Sequence, residues 1–236
     1  MQPMVVWWFG NGMLLLASYL LGSLPIGYLA GRFLKGIDIR EHGSGSTGAT
    51  NVLRTLGKGP GLAVLILDVG KGILAISLCC WAYREEFWLS SLPETFAPSS
   101  WLAWAVVLSG LAAILGHSKS IWLGFSGGKS VAISLGILLA MAWPVGLATF
   151  AVFGVVLAVS RIVSLSSIAG ALAVSVLMVL MAQPLPYILF AIAGGLYVIW
   201  RHRTNLQRLL AGTEPQLGQT QDSNSLNHSK TPTLGQ

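Results

Sequence analysis

Charge is the scarcest ingredient of this 236-residue sequence: Asp, Glu, Lys and Arg together make up 9% of it, against 54% hydrophobic residues and a mean hydropathy of +0.71. That leaves too little polar surface to cover a soluble globule of this size, and a polytopic membrane protein is expected instead. Cysteine is nearly absent as well. Cys79 and Cys80 stand side by side in an apolar run, which offers neither a disulfide framework nor the spacing of metal ligands, so no metal and no cofactor are expected. No basic residue precedes Arg32, whereas a cleavable signal carries positive charge ahead of its apolar stretch; the first apolar run is therefore expected to stay as a span. Repeats of fixed period are missing too, which disfavours the two-halved plan of many transporters.

What is present is a series of apolar runs of about the length a helix needs to cross hydrocarbon. They read as Met4 to Gly31, Pro60 to Tyr83, Trp101 to Gly116, Ser130 to Ala142, Pro144 to Ser160, Ser164 to Ala182 and Pro184 to Trp200. The fourth and fifth are separated only by Trp143-Pro144, where proline breaks the helical ladder. The expected fold is all-α, with seven transmembrane helices. Twelve of the fourteen Lys and Arg residues then fall on one side: Arg32, Lys35, Arg40, Arg54 and Lys58 after the first span, Lys119 and Lys129 after the third, Arg161 after the fifth, and Arg201, Arg203, Arg208 and Lys230 after the last. Arg84 lies opposite, among Glu85, Glu86 and Glu94, and Lys71 lies inside the second span. The positive-inside rule then puts the amino terminus outside and the carboxyl terminus in the cytoplasm. A net charge of +6 thus records topology, and no nucleic-acid partner is expected. Residues 1–211 read as one membrane domain and 212–236, which nearly lack bulky apolar residues, as a disordered cytoplasmic tail.

Three polar stretches share the cytoplasmic side under this topology. In HGSGSTGATNVLR, His42 to Arg54, the glycines Gly43, Gly45 and Gly48 allow successive backbone amides to face one concavity. Ser44, Ser46, Thr47, Thr50 and Asn51 add side-chain donors, and Arg54 adds a fork suited to phosphate. GFSGGKS, with Gly124, Gly127, Gly128, Lys129 and Ser130, ends like a nucleotide-binding loop but has one residue too few between its glycines, so nucleotide hydrolysis is not expected. What it retains is a glycine turn opening a helix beside a lysine, an anion-attracting arrangement. In RHRTNLQRLLAGTE, Arg201 to Glu214, His202 and Asn205 share one helical face, and His is the side chain best suited to accept a proton near neutral pH. Within the second span, Asp68 and Lys71 stand three residues apart and read as an ion pair, structural or contributing to the site. His42 and His117 read as interfacial, and His228 as part of the tail. Cationic loops of this kind suit an enzyme acting on phosphorylated substrates or a transporter of a phosphorylated anionic solute.

Taken together, GSGSTGATNVLR, LDVGKG, GHSKSIWLGFSGGKS, RIVSLSS and RHRTNLQRLLAGTE, in this order across apolar spans, resemble the bacterial membrane-integral acyl-phosphate:glycerol-3-phosphate acyltransferases from about Gly22 to Glu214. The resemblance implies transfer of a fatty acyl group from acyl phosphate to the 1-hydroxyl of glycerol 3-phosphate at the inner membrane of a bacterium, giving lysophosphatidic acid, the first intermediate of phospholipid synthesis. Partners implied are the two substrates, membrane lipids and, functionally, an acyl-phosphate-forming enzyme. It implies catalytic roles for Ser44, Arg54, Lys129, His202 and Asn205. Substrate binding is implied for Gly45, Ser46, Thr47, Gly48, Thr50, Asn51, Gly127, Gly128, Ser164, Arg201 and Glu214, with Ala49 in the same loop and His117 in the second motif. Three positions depart from the family pattern. Ser46 replaces asparagine, Ser126 lysine and Ser130 glycine, and loss of the lysine is expected to leave Lys129 alone at an anion site.

Overall fold

The computed structural model describes residues 3–85 and 98–218. Expectations for Glu86, Glu94, His228 and Lys230, and for the tail from residue 219 onward, fall outside the described residues. Among the described residues the chain forms ten α-helices: α1 Pro3–Ser23, α2 Ile26–Lys35, α3 Ala49–Leu56, α4 Lys58–Ala82, α5 Pro98–Ser118, α6 Val131–Met141, α7 Trp143–Ser160, α8 Val163–Leu180, α9 Leu185–Arg201 and α10 Arg203–Leu210.

An apolar core is joined by buried polar side chains, and many large apolar side chains face outward. Ser18, Asp68, Lys71, Ser109, Ser166 and Ser167 are buried, whereas Leu62, Ile66, Leu74, Val155, Val159 and Leu180 face outward. That is the arrangement hydrocarbon requires, with polar groups turned inward to find partners. Among the described residues five helical stretches are long and apolar enough to cross a membrane: Val5–Lys35, Lys58–Ala82, Trp101–Ser118, Trp143–Ser160 and Val163–Leu180. Leu185–Arg201 with Arg203–Leu210, bent by 61°, makes a sixth if the pair is counted as one span. The remaining apolar run forms α6, whose 11 residues are short for a crossing.

Proline sets two of the breaks. Pro144 sits in the first turn of α7, and Ala142 between α6 and α7 leaves the helical region, as expected from the sequence. The first apolar run departs from expectation: it does not continue unbroken to Gly31 but stops at Ser23 and restarts after Pro25, reaching Lys35 as α2. Pro25 cannot donate to the ladder and pushes Leu24 out of the helical region, the same physics as at Pro144.

Small residues let helices approach backbone to backbone. A Cβ on Gly22 would lie 2.1 Å from the Ala113 carbonyl oxygen, and one on Gly136 2.0 Å from that of Val69. These contacts lock α1 on α5 and α6 on α4, with α7, α8 and α9 packed in series beside them. Cys79 is buried in the core and Cys80 half-buried, both as free thiols.

Candidate active site

The His42-to-Arg54 stretch folds around one side chain. Buried Asn51 points its two amide hydrogens toward three carbonyl oxygens, those of Ile39 (3.0 Å), His42 (3.0 Å) and Ser46 (2.8 Å), and its Oδ1 accepts from the Ser44 amide at 2.9 Å. Gly43 and Gly45 take positive φ to make the turn, and a Cβ on Gly43 would lie 2.3 Å from Asn51 Oδ1. Asn51 therefore holds the loop in shape, and its amide is not available to a substrate as the sequence reading expected. Gly48 caps the start of α3, where a helix leaves its first amide hydrogens without intrahelical partners. The exposed Ser44, with Ser46 and Thr50, flanks that end, and Arg54 lies in the last turn of α3.

The Gly116-to-Ser130 stretch folds differently. A Cβ on Gly127 would lie 2.2 Å from the His117 carbonyl oxygen, and one on Gly128 2.2 Å from His117 Nε2. The Gly128 amide donates to the His117 carbonyl at 3.2 Å. Glycine is required here for close packing on His117. The outward groups of the turn are carbonyls: Arg201 Nη2 donates to Gly128 O at 2.8 Å and to Gly127 O at 3.3 Å. Lys129 emerges from this turn and donates to Asn205 Oδ1.

Helices α8 and α10 and the segment after α10 supply the rest. Glu214 Oε1 accepts from Ser164 Oγ at 2.8 Å and from Asn205 Nδ2 at 2.6 Å, while Oε2 accepts from Arg208 Nε at 2.7 Å. Burial works to raise the Glu214 pKa, but these three donors outweigh it and hold the carboxyl below its usual value. Glu214 thus fixes Asn205, which fixes the Lys129 ammonium. Ordered chain continues past Ala211, where composition had drawn the domain boundary: Arg54 Nη2 reaches Pro215 O at 3.4 Å, and the Leu217 amide donates to Arg161 O at 2.7 Å.

These parts close on one cavity of about 440 Å³. Its polar end carries Ser44, Ser46, Thr50, Arg54, Lys58, Lys129, Ser164, His202, Asn205 and Glu214. Its other end is a trough between α4, α6, α7, α8 and α9, lined by Leu65, Leu138, Phe150, Phe153, Val174 and Phe190. Gly45, Thr47, Gly127, Gly128 and Arg201 do not line it. Thr47 is buried against α2, its carbonyl oxygen 1.9 Å from where a Gly27 Cβ would stand, and Arg201 braces the second glycine turn. Ser126 is also outside: its hydroxyl donates to Leu123 O and accepts from Arg40 Nη1, and Arg40 is itself paired with Asp38 at 2.7 Å. Sequence reasoning missed Lys58 as a lining cation, Arg208 as the partner of Glu214, and the whole apolar trough.

Electrostatics follow from the crowding of cations in a partly dry site. Burial, helped by Arg208 and Arg201 and opposed by Glu214, lowers Lys129 from 10.5 to about 8. Burial likewise lowers His202, just beyond the end of α9, from 6.5 to about 4, against the hydrogen bond to Val198 that favours its charged form. His202 is therefore neutral at pH 7. Its Nδ1 is 2.8 Å from Val198 O, which assigns the proton to Nδ1 and leaves Nε2 as an acceptor. Among the described residues no cluster of His, Cys, Asp and Glu is suited to a metal ion.

An anion cradle joined to an apolar trough suits a substrate with a charged head and a lipid tail, and comparison with known proteins bears on which. The sequence matches the family profile described as "Glycerol-3-phosphate acyltransferase" over residues 12–212. The curated glycerol-3-phosphate acyltransferase of Trichormus variabilis is 65% identical over 92% of this chain and 96% of its own length, and that of Nostoc sp. 67% identical over 88% and 92%. Among solved structures, PlsY, an integral membrane glycerol 3-phosphate acyltransferase, superposes in its glycerol 3-phosphate form with a TM-score of 0.77 at 35% identity, covering 89% of this chain and 96% of that one. Its lysophosphatidic acid form superposes with a TM-score of 0.75 at 34% identity over the same shares. The chain therefore belongs to the glycerol-3-phosphate acyltransferase family.

Proposed function

We propose that the protein transfers a fatty acyl group from acyl phosphate to the 1-hydroxyl of glycerol 3-phosphate, releasing phosphate and lysophosphatidic acid. The observation that carries this reading is the joining of the cationic, hydroxyl-rich end and the apolar trough in a single cavity. In it the acyl chain lies in the trough, and the acyl phosphate head meets the start of α3 with Ser44, Ser46 and Thr50. Arg54, Lys58 and Lys129 hold the acceptor's phosphate. The 1-hydroxyl oxygen attacks the acyl carbonyl carbon, the bond from that carbon to the phosphate oxygen breaks, and phosphate leaves with the electron pair. The hydroxyl proton passes to His202 Nε2. Because the donor is already activated, holding two anions together and neutralising them is the larger part of catalysis.

Direct transfer is favoured over an acyl-serine intermediate. Among the described residues no hydrogen bond links Ser44 Oγ to His202 or to a carboxylate, as an activated nucleophile would need. The charge pattern supports seven crossings of a bacterial inner membrane, the short α6 included, with the amino terminus outside and the cavity mouth toward the cytoplasm. An acyl-phosphate-forming enzyme at the same membrane would then supply the donor.

The test is to incubate the purified protein with palmitoyl phosphate and glycerol 3-phosphate. Lysophosphatidic acid and phosphate in equal amounts are expected, and His202→Gln should lower kcat by about 100-fold, the range of general-base catalysis. Solute uptake into liposomes with no product formed would overturn the reading in favour of transport, and a stable acyl adduct on Ser44 would overturn direct transfer.

A further inference from the structure

The ion pair inside α4 stands apart from the cavity's other charges, because it reaches toward the site from within the bundle. Asp68 and Lys71 are one turn apart, with Lys71 Nζ 2.8 Å from Asp68 Oδ1, and both side chains are at most 5% exposed. A lone charge at such a depth is costly, so each side chain is tolerated because the other neutralises it, which does not say why either is there.

The remaining contacts supply that explanation. Lys71 Nζ also donates to Leu24 O at 2.8 Å, which accepts from the Ile26 amide as well, and to Gly22 O at 3.2 Å, both carbonyls lying where Pro25 ends α1. It thereby pins the break between α1 and α2. On the other side both groups face His117, whose Nδ1 is 3.5 Å from Lys71 Nζ and 3.8 Å from Asp68 Oδ1. Asp68 and His117 line the reaction cavity, and they also line a second void of about 10 Å³ behind it that Lys71 shares. The opposite edge of the His117 ring is the surface on which Gly128 rests, closely enough to exclude any side chain there. The Gly127-Gly128 turn is thus held between His117 below and Arg201 Nη2 above, and the next residue is Lys129.

We propose that Asp68 and Lys71 are positioning residues for acyl transfer: the pair fixes the His117 ring, the ring sets the level of the Gly127-Gly128 turn, and the turn places Lys129 at the acceptor's phosphate. Neither side chain touches the reacting atoms. This inference rests on the acyltransferase reading above and adds to it a route from the centre of α4 to the acceptor subsite.

Acyltransfer kinetics of the full-length wild type, Asp68→Asn, Lys71→Met, the double variant D68N/K71M and Gly128→Ala, combined with thermal unfolding, test it. Asp68→Asn should raise KM for glycerol 3-phosphate about tenfold and leave KM for palmitoyl phosphate within twofold. The double variant has no buried charge left unpaired, so its unfolding temperature should return toward that of the wild type while KM for glycerol 3-phosphate stays high. Gly128→Ala and Asp68→Asn act through one ring, so their combined effect on that KM should fall short of the product of the two. An Asp68→Asn enzyme with wild-type KM, or a double variant in which stability and KM recover together, would overturn the proposal and leave a purely structural pair. If Asp68→Asn does not fold, the double variant alone decides. Absence of product from the wild type strikes the functional reading itself, whereas an active wild type with unmoved variants strikes only this inference.

Discussion

The first and second glycine-rich stretches look alike in sequence and fold to opposite polarity. Both put glycines beside hydroxyls and end near a cation, and both lead into a helix. Around Asn51 the first stretch turns so that the start of α3 opens toward the cavity. Around His117 the second turns so that its carbonyls face Arg201, and only Lys129 offers positive charge to a ligand. On the proposed reading the first stretch offers an anion backbone dipoles and hydroxyls together with Arg54, whereas the second offers a single ammonium. A glycine pattern marks where a backbone comes close to something, and the neighbouring buried side chain decides which backbone group faces it.

The largest effect is expected where one side carries its function on one group. Lys129→Met removes a cation from a partly desolvated site and should lower kcat/KM by about 10³-fold, at the upper end for loss of one stabilising group. The pH dependence follows from the same residue. On the proposed reading its charged form holds the acceptor's phosphate, and burial lowers its pKa to about 8, so kcat/KM should fall as pH rises through 8. In Lys129→Arg, whose guanidinium does not titrate in this range, that alkaline limb should disappear at whatever residual rate remains. A limb unchanged in Lys129→Arg would assign it to another group and weaken the contrast between the two stretches.

Next comes the side chain on which the first stretch depends. Asn51→Leu leaves the Ile39, His42 and Ser46 carbonyls and the Ser44 amide without their partner. At about 1 to 3 kcal/mol for each group left buried and unsatisfied, a stability loss of at least about 2 kcal/mol is expected by thermal or denaturant unfolding. Activity should fall with it, because on the proposed reading the loop that Asn51 shapes carries the groups that meet the substrate. A variant that keeps its stability but loses binding would return Asn51 to the substrate-contacting role its sequence position suggested. Smaller again is Gly128→Ala, where the methyl group collides with the His117 ring and the turn must lift. An increase of about tenfold in KM for glycerol 3-phosphate is expected, with a stability cost of roughly 1 to 3 kcal/mol for overpacking.

Most of the helices were legible because hydropathy and proline act locally: the seven apolar runs are all helical, and Pro144 divides two of them as expected. Pro25 was passed over because its flanks are apolar on both sides, which hid a break of the same kind. Ser44, Arg54, Lys129, His202 and Asn205 do converge, since each comes from a polar stretch that apolar surroundings made conspicuous. Sequence could not separate lining residues from bracing ones. Asn51, Thr47 and Arg201 all have the chemistry of ligands, yet Thr47 is buried away from the cavity, Arg201 braces the Gly127-Gly128 carbonyls, and Asn51, although it lines the cavity, spends its amide on the backbone of its own loop. The trough stayed invisible for the opposite reason: Phe150, Phe153 and Phe190 are ordinary residues in apolar helices, and only packing reveals that they face inward.

Ser126 offers the finest test, because there sequence and geometry disagree about what was lost. The family pattern has lysine at this position, and its absence reads as a missing charge in an anion site. The hydroxyl, however, lies between Leu123 O and Arg40 and does not line the cavity, while Arg40 is already paired with Asp38. Hydrogen bonding to Arg40 also keeps the Asp38 carboxyl down at about 2, so that pair stays charged across the working pH range. A lysine at 126 would meet this paired arginine at the half-exposed rim, where an added charge is screened by solvent and salt. Ser126→Lys should therefore change KM for glycerol 3-phosphate by less than twofold at physiological ionic strength. A tenfold drop in KM would mean that the second stretch draws on more than one cation, and that the two stretches differ less than their folds imply.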